Sequence, residues 1–316
     1  MRHSNVLVLG GSGFIGRYVV NFLVARGCRV LVPSRRRDRA RHLILLPTCD
    51  VVDANIMDDP TLARLVAGQD AVINLVGILH GTEADFQRVH ADLPRRVVAA
   101  CAKHRVGRLL HMSALGASAS GPSMYLRSKG AGEAQVQASA LRWTVFRPST
   151  VFGVEDRFLN LFGRLAAWFP VLPIGGANAK FQPVWVEDVA RAIVNSVESE
   201  STYGKGYELA GPRIYALREL VEFAAKAAGH PRPVIALPDG LARLQARALE
   251  LLPGTPLLSR DNLDSMKIDA VASNQPFVPA PELGIRLTPM EPEASLYLAG
   301  MHSRSRFSAL RARARR

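Results

Sequence analysis

Two hydrophobic periods alternate along the first half of the chain. Asn5–Leu9 (NVLVL) is a short, branched, apolar run of the length expected for a buried strand. Residues 17–26 instead place Val19, Val20, Leu23 and Val24 on one helical face. The alternation continues to about residue 150. It predicts strands at 29–33, 50–53, 71–76, 108–112 and 143–147, and helices at 61–67, 84–104 and 123–138. A strand-then-helix rhythm of this kind builds a parallel, doubly wound α/β sheet.

Beyond residue 150 the pattern is mixed. Residues 157–168 read as an amphipathic helix and 170–176 as a loop punctuated by Pro and Gly. A short strand at 184–186 precedes a helix at 189–197, and Asp188 suits the N-cap of that helix. Residues 207–209 suit a strand and 217–228 an amphipathic helix stopped by Gly229-His230-Pro231. From Pro253 onward prolines are frequent and periodicity is poor. The expected organisation is a dinucleotide-binding region over 1–150, with about 184–200 returning to it. A smaller, partly irregular substrate-side region follows over 151–300, and a basic tail over 301–316.

Composition narrows the class. The chain has 316 residues, 48% of them hydrophobic, which suits a globular protein of one large or two smaller domains. No run of eighteen apolar residues suggests a membrane span, and the first strand starts too early to leave room for a signal peptide. Cys28, Cys49 and Cys101 have no metal spacing and read as reduced thiols, so a cytoplasmic setting is expected. The formal charge of +13 favours anionic partners. It concentrates in Arg35, Arg36, Arg37, Arg39 and Arg41, and in Arg304, Arg306, Arg311, Arg313, Arg315 and Arg316. Neither cluster has the aromatic interleaving of a nucleic-acid-binding fold.

The chemistry gathers at the strand ends. Gly10, Gly13 and Gly16 lie between the first strand and the first helix. Glycine there lets a pyrophosphate approach the backbone, and the helix N-terminus supplies N–H groups and a positive dipole end. After the second strand, where a carboxylate would bind a ribose 2′-hydroxyl, stand Ser34, Arg35 and Arg36. Arginine forks match phosphate oxygens, so NADP(H) is favoured and NAD(H) stays open. Asn55 and Ile56 suit an adenine ring, the first by a hydrogen bond to its amine and the second by flat apolar contact. Leu75, Val76 and Gly77 end the fourth strand, where ligands of open α/β sheets sit. Tyr125 and Lys129 share one helical face at i, i+4, so the ammonium would lower the phenol pKa and make Tyr125 a usable acid or base. Ser113, at the end of the fifth strand, could donate to a substrate carbonyl. A structural or ribose-binding role for Tyr125 and Lys129 stays open. Pro148, Ser149 and Val151 follow the sixth strand and would frame a nicotinamide. His80, His90 and His111 form no metal set.

Together, GGSGFIG, Tyr125-Leu-Arg-Ser-Lys129, RPSTVFG and PVWVEDVARAI resemble the extended and atypical branches of the short-chain dehydrogenase/reductase superfamily. The likeness covers residues 5 to about 230. VINLVGIL, YLRSKGAGE and the Asn of DANI look closest to the nucleotide-binding accessory subunits of respiratory complex I and their bacterial relatives. The resemblance implies a Rossmann fold, bound NADP(H) and a small C-terminal domain. By the same resemblance Gly10, Ser12, Gly13, Phe14, Ile15 and Gly16 hold the pyrophosphate. Arg35 meets the 2′-phosphate, Asn55 and Ile56 the adenine, and Lys129 the nicotinamide ribose. Ser113 is followed by Ala114 and Leu115 rather than a Ser/Thr run, and the path to Tyr125 is short. Both features depart from nucleotide-sugar epimerases and dehydratases.

Two functions follow. In one, an NADP(H)-dependent oxidoreductase moves hydride to or from a carbonyl or alcohol carbon, with Tyr125 handling the proton, Lys129 tuning it and Ser113 orienting the oxygen. In the other, a nucleotide-binding accessory protein of the complex I type holds its cofactor without consuming it. Nucleotide-sugar epimerase chemistry is a third reading. The basic tail, with Leu296, Leu298, Phe307 and Leu310, suits either peripheral contact with an anionic membrane surface or a solubilising end.

Overall fold

A computed structural model describes residues 5–254 and 256–300; the arginines of the expected basic tail, with Phe307 and Leu310, lie outside the described residues. The chain divides into two units. The first comprises Met1–Pro148, Val186–Leu209 and Val278–Arg286, and the second Ser149–Trp185, Ala210–Phe277 and Leu287–Arg316.

The first unit opens with β1 (Asn5–Leu9), α1 (Phe14–Ala25), β2 (Arg29–Ser34), the short α2 (Arg41–Ile44), β3 (Cys49–Asp53), α3 (Asp59–Val66) and β4 (Ala71–Asn74). Next come α4 (Glu83–Phe86), a π-helical stretch (Gln87–Asp92), α5 (Leu93–Lys103), β5 (Arg108–Met112), α6 (Met124–Gln137) and β6 (Arg142–Pro148). The chain then enters the second unit with β7 (Val151–Phe152), α7 (Leu159–Trp168), β8 (Leu172–Ile174), β9 (Lys180–Phe181) and β10 (Val184–Trp185). It returns to the first for α8 (Val186–Ser196) and β11 (Lys205–Leu209). The second unit resumes with β12 (Tyr215–Ala216), α9 (Leu217–Ala227), β13 (Val234–Ala236), α10 (Asp239–Glu250) and α11 (Arg260–Ser265), and ends with α12 (Met290–Ala299).

In the first unit the strands lie in the order β11-β6-β5-β4-β1-β2-β3, and every neighbouring pair is parallel. This is the doubly wound Rossmann sheet. Strand order reverses at β1, which pairs with β2 on one side and β4 on the other, and the crevice at such a reversal is where ligands bind. Val6–Leu9 are fully buried, as a strand covered on both faces requires. Leu7, Val72, Leu93, Val97 and Leu109 meet in one core cluster. Side-chain oxygens cap several helix starts: Asp58 accepts from Thr61 N–H at 3.0 Å and Ser123 from Leu126 N–H at 3.1 Å. Against expectation Asp188 is no cap, because α8 starts two residues earlier and buries it in the first turn.

Arg108 locks the returning segment to the sheet. Its buried guanidinium donates to Arg142 O, Thr144 Oγ1, Ser196 O, Val197 O and Thr202 Oγ1, and it stacks over Tyr203. Burial lowers its pKa to about 10.

The second unit has its own core, with Phe152, Leu159, Tyr215, Leu220 and Met290 in one cluster. Asp156 accepts from Gly153, Phe158 and Asn160 N–H groups and from Tyr297 Oη, tying the start of α7 to α12. The stretch read from sequence as a loop at 170–176 contains β8, paired in parallel with β13. No helix among the described residues is long and apolar enough to cross a membrane.

Candidate functional site

The turn from β1 to α1 is shaped by backbone approach. Gly10 has φ of +82°, and a Cβ there would meet Leu75 C at 3.1 Å and Val76 N at 3.2 Å. Gly16 lies so close to Gly10 O and the Gly11 backbone that no side chain fits. Gly13 caps α1 without any side-chain acceptor, and no acidic residue occupies the first turn. The first N–H groups of a helix have no intrahelical acceptor, so those around Phe14, Ile15 and Gly16 are left for an anion. Ser12 is half-buried and Gly13 exposed at the mouth. An open, side-chain-free cradle of donors fits a pyrophosphate.

At the end of β2 the buried Ser34 folds the loop back on itself. Its Oγ donates to Arg36 O at 2.9 Å and accepts from Arg36 N–H at 3.4 Å. Arg35 and Arg36 are exposed. Beyond β3, Asn55 is exposed and its Oδ1 accepts from Met57 N–H at 3.1 Å, leaving one lone pair. Ile56 packs against the core cluster.

The ends of β4 and β5 and the start of α6 enclose a different environment. Asn74, His90, His111, Ser113, Ser128 and Lys129 are all buried. Lys129 Nζ donates to Met112 O at 3.0 Å. A Cβ on Gly77 would meet Lys129 Nζ at 3.3 Å and His90 Nε2 at 3.4 Å, so glycine brings the β4 end onto both groups. Leu75 continues the ladder by donating to Leu9 O at 2.9 Å, and Val76 N–H turns to Asn74 Oδ1 at 3.2 Å. The buried carboxylate of α6, Glu133, pairs with Arg147 rather than with Lys129. Burial therefore lowers the Lys129 pKa to about 8.

His90 lies in the π-helical stretch. Its Nε2 accepts from Ile78 N–H at 3.0 Å, so Nδ1 carries the proton toward Ser128 Oγ at 2.9 Å. Ser128 Oγ in turn donates to Tyr125 O at 2.9 Å. Burial, then the electrostatic influence of Lys129 and the neighbouring His111, holds the His90 pKa at about 2.

Tyr125 is half-buried, with its ring edge-on to His90 and Phe86 at centroid distances of 5.5 and 6.3 Å. Burial pushes its pKa up to about 12. The expected lowering by Lys129 is overturned: the i, i+4 spacing puts both residues on one face, but that face is desolvated and the ammonium bonds Met112 O. Ser113 Oγ is buried and has no hydrogen-bond partner among the described residues.

Pro148 ends β6, and its carbonyl accepts from Leu115 N–H at 3.1 Å. Ser149 and Val151 belong to the second unit. There the Ser149 hydroxyl donates to Ala270 O at 2.6 Å and accepts from Gln182 N–H at 3.2 Å, while Val151 pairs with Val184 in β7–β10. Sequence reasoning weighed His90 and His111 only as metal ligands and passed over Asn74. The available signal was Asn74 and His111 at the ends of consecutive strands.

Comparison with known proteins places the fold among relatives. The family described as the NAD dependent epimerase/dehydratase family matches residues 6–210. The chain is 33% identical over 283 residues to the NADH dehydrogenase (ubiquinone) 1 alpha subcomplex subunit 9 of Arabidopsis thaliana mitochondria, covering 84% of this chain and 70% of that one. It is 33% identical over 193 residues to a ceramide reductase of Caulobacter vibrioides, covering 60% of this chain and 59% of that one. Among solved structures, the NADPH-dependent quinone oxidoreductase QOR2 of Escherichia coli, complexed with NADPH, superposes with a TM-score of 0.74 at 19% identity, covering 92% of this chain and 99% of that one.

Proposed function

The chain belongs to the NAD dependent epimerase/dehydratase family, and from that membership we propose that it binds NADP(H) and keeps it as a standing part of the fold, as an accessory protein of a respiratory assembly would. The observation that carries this reading is the fate of the catalytic pair. Lys129 Nζ donates to Met112 O, and burial pushes the Tyr125 pKa up to about 12, which supports the reading without turnover. A nucleotide bound to the native state alone stabilises it by mass action without turnover.

In this reading the backbone of Gly10, Ser12, Gly13, Phe14, Ile15 and Gly16 receives the pyrophosphate. Ser34 sets the loop from which Arg35 and Arg36 reach the 2′-phosphate. Asn55 and Ile56 hold the adenine, and Leu75, Val76, Gly77 and Pro148 run alongside the ligand. Lys129 donates to the nicotinamide ribose. Contact with the assembly, or with an anionic membrane surface on the cytoplasmic side, falls to α10. This helix buries only Ala242 and Ala246, and it leaves Leu241 and Leu244 exposed, with Leu251 and Leu252 just beyond its end.

A second reading, carbonyl reduction, is favoured by the buried, unpartnered Ser113 hydroxyl and by the reductase relative. There Ser113 would donate to the carbonyl oxygen and Tyr125 would give it a proton, as hydride from the bound cofactor adds to the carbon. The test is a titration with NADPH and NADH, followed by nicotinamide fluorescence and repeated with Arg35→Ala. NADPH preference that the variant abolishes, with no oxidation of bound NADPH over a carbonyl panel, is the expected result. Equal binding of both nucleotides would remove the NADP(H) assignment. Steady oxidation lost in Tyr125→Phe would install the second reading.

A further inference from the structure

Among the described residues, the two buried histidines of the first unit are fixed in opposite tautomers. His90 accepts at Nε2 and carries its proton on Nδ1. The reverse holds for His111. Val76 N–H donates to Asn74 Oδ1 at 3.2 Å, which settles the orientation of the Asn74 amide. Asn74 Nδ2 must then donate to His111 Nδ1 at 3.3 Å, and the neutral ring carries its proton on Nε2. Register enforces the pair, because Asn74 and His111 are directly opposite in β4 and β5. Burial, with the charge of Lys129, holds the His111 pKa at about 3, so this tautomer persists through the physiological range.

His111 Nε2–H and Ser113 Oγ are both buried and both without a hydrogen-bond partner among the described residues. The backbone beyond β5 stays extended alongside β6, since Ser113 N–H donates to Phe146 O at 2.7 Å. Residues two apart on an extended chain face the same side, so His111 and Ser113 project together. A buried donor and a buried hydroxyl left unmade in this way cost stability unless a water joins them.

We propose that Asn74 and His111 form a positioning pair for Ser113: His111 Nε2–H donates to one buried water, which donates to Ser113 Oγ, so that the Ser113 proton points at an oxygen of the bound ligand. The direction follows from the relay. A water accepting from His111 Nε2–H keeps both of its own protons, so it can donate to Ser113 Oγ, and a serine oxygen that accepts in this way has its own proton free for the ligand. The inference rests on nucleotide binding at this sheet edge and adds a polarity to it. Ser113 would be a donor to the ligand, so the ligand atom there is a carbonyl or hydroxyl oxygen and not an N–H group.

The test begins with long-range ¹H–¹⁵N spectra of the histidines in the full chain. His90 is expected as the Nδ1–H form and His111 as the Nε2–H form at pH 7, and Ser113→Ala should move the His111 Nε2 signal while leaving that of His90 in place. A His111 in the Nδ1–H form, or one blind to Ser113→Ala, overturns the proposal without any ligand present. NADPH titration then compares His111→Gln, which keeps a side-chain donor, with His111→Phe. Near wild-type affinity in the first and a several-fold loss in the second is expected, and equal affinities would overturn the proposal. If the wild type itself fails to bind NADPH while the tautomers and the Ser113 response hold, it is the nucleotide reading that fails.

Discussion

The β1–β2 half of the sheet's carboxyl edge and the β4–β5 half are made of opposite materials. The first is open, and it presents backbone N–H groups and exposed arginines. Water already solvates them, so a ligand gains from them by fit and charge matching. The second is closed: an ammonium, two imidazoles and two hydroxyls are held out of water, with the ammonium and one imidazole against Gly77. Desolvation is the largest influence on each titration there, driving Lys129 down to about 8 and Tyr125 up to about 12. Strong ionic recognition can sit on a surface loop, whereas control of protonation needs burial and the hydrogen bonds that make burial tolerable.

The largest effect should come from breaking the open half at its tightest point. Gly16→Val puts a side chain into the Gly10 and Gly11 backbone, which cannot yield as a flexible side chain would. A loss of about 3 kcal/mol or more is expected in urea denaturation, together with loss of NADPH binding. Wild-type stability would mean that α1 can move away from the turn.

Acid should next single out the closed half. The folded pKa values of His90 and His111, about 2 and about 3, lie below the ordinary value of 6.5. As pH falls below 6.5 the unfolded chain takes up protons that the folded chain refuses. Stability is therefore full above pH 6.5 and declines below it, by up to about 1.4 kcal/mol per pH unit for each histidine. Denaturation curves at pH 7 and pH 5 check this, and a flat profile would place both rings in water.

Lys129→Met separates binding from stability. A buried lysine with a lowered pKa opposes folding at neutral pH, because the unfolded state hosts the charge more easily. The variant should gain roughly 1–3 kcal/mol in the nucleotide-free state and lose at least about tenfold in NADPH affinity. Loss of both would show that the Met112 O contact dominates. The smallest change is Arg35→Ala, expected to weaken NADPH about tenfold, leave NADH alone and shift stability within about 0.5 kcal/mol.

Much of this architecture was legible in the residues themselves. The run at Asn5–Leu9, the three glycines and the face of Val19, Val20 and Leu23 specify the first strand–turn–helix almost alone, because burial on both sides of a parallel strand leaves an uninterrupted apolar run. β8 was hidden because Pro173 and Gly175 read as loop, and a three-residue pairing with β13 leaves no period to detect. The π-helical stretch was hidden because 87–92 has the same apolar spacing as the α-helical turns around it. Spacing also placed Tyr125 and Lys129 on one face, but the partner of Lys129 is a backbone carbonyl, and every residue type supplies one.

Arg108 bears on how the protein is made. Three of its five acceptors, on Ser196, Val197 and Thr202, are translated some ninety residues after it. A nascent chain cut at Pro148 would expose a half-solvated guanidinium in the middle of a sheet that still lacks its edge strand β11. The first unit therefore cannot be completed on the ribosome before residues 149–185 of the second have also emerged. A gene fragment ending near residue 150 should yield aggregate rather than a miniature nucleotide-binding domain.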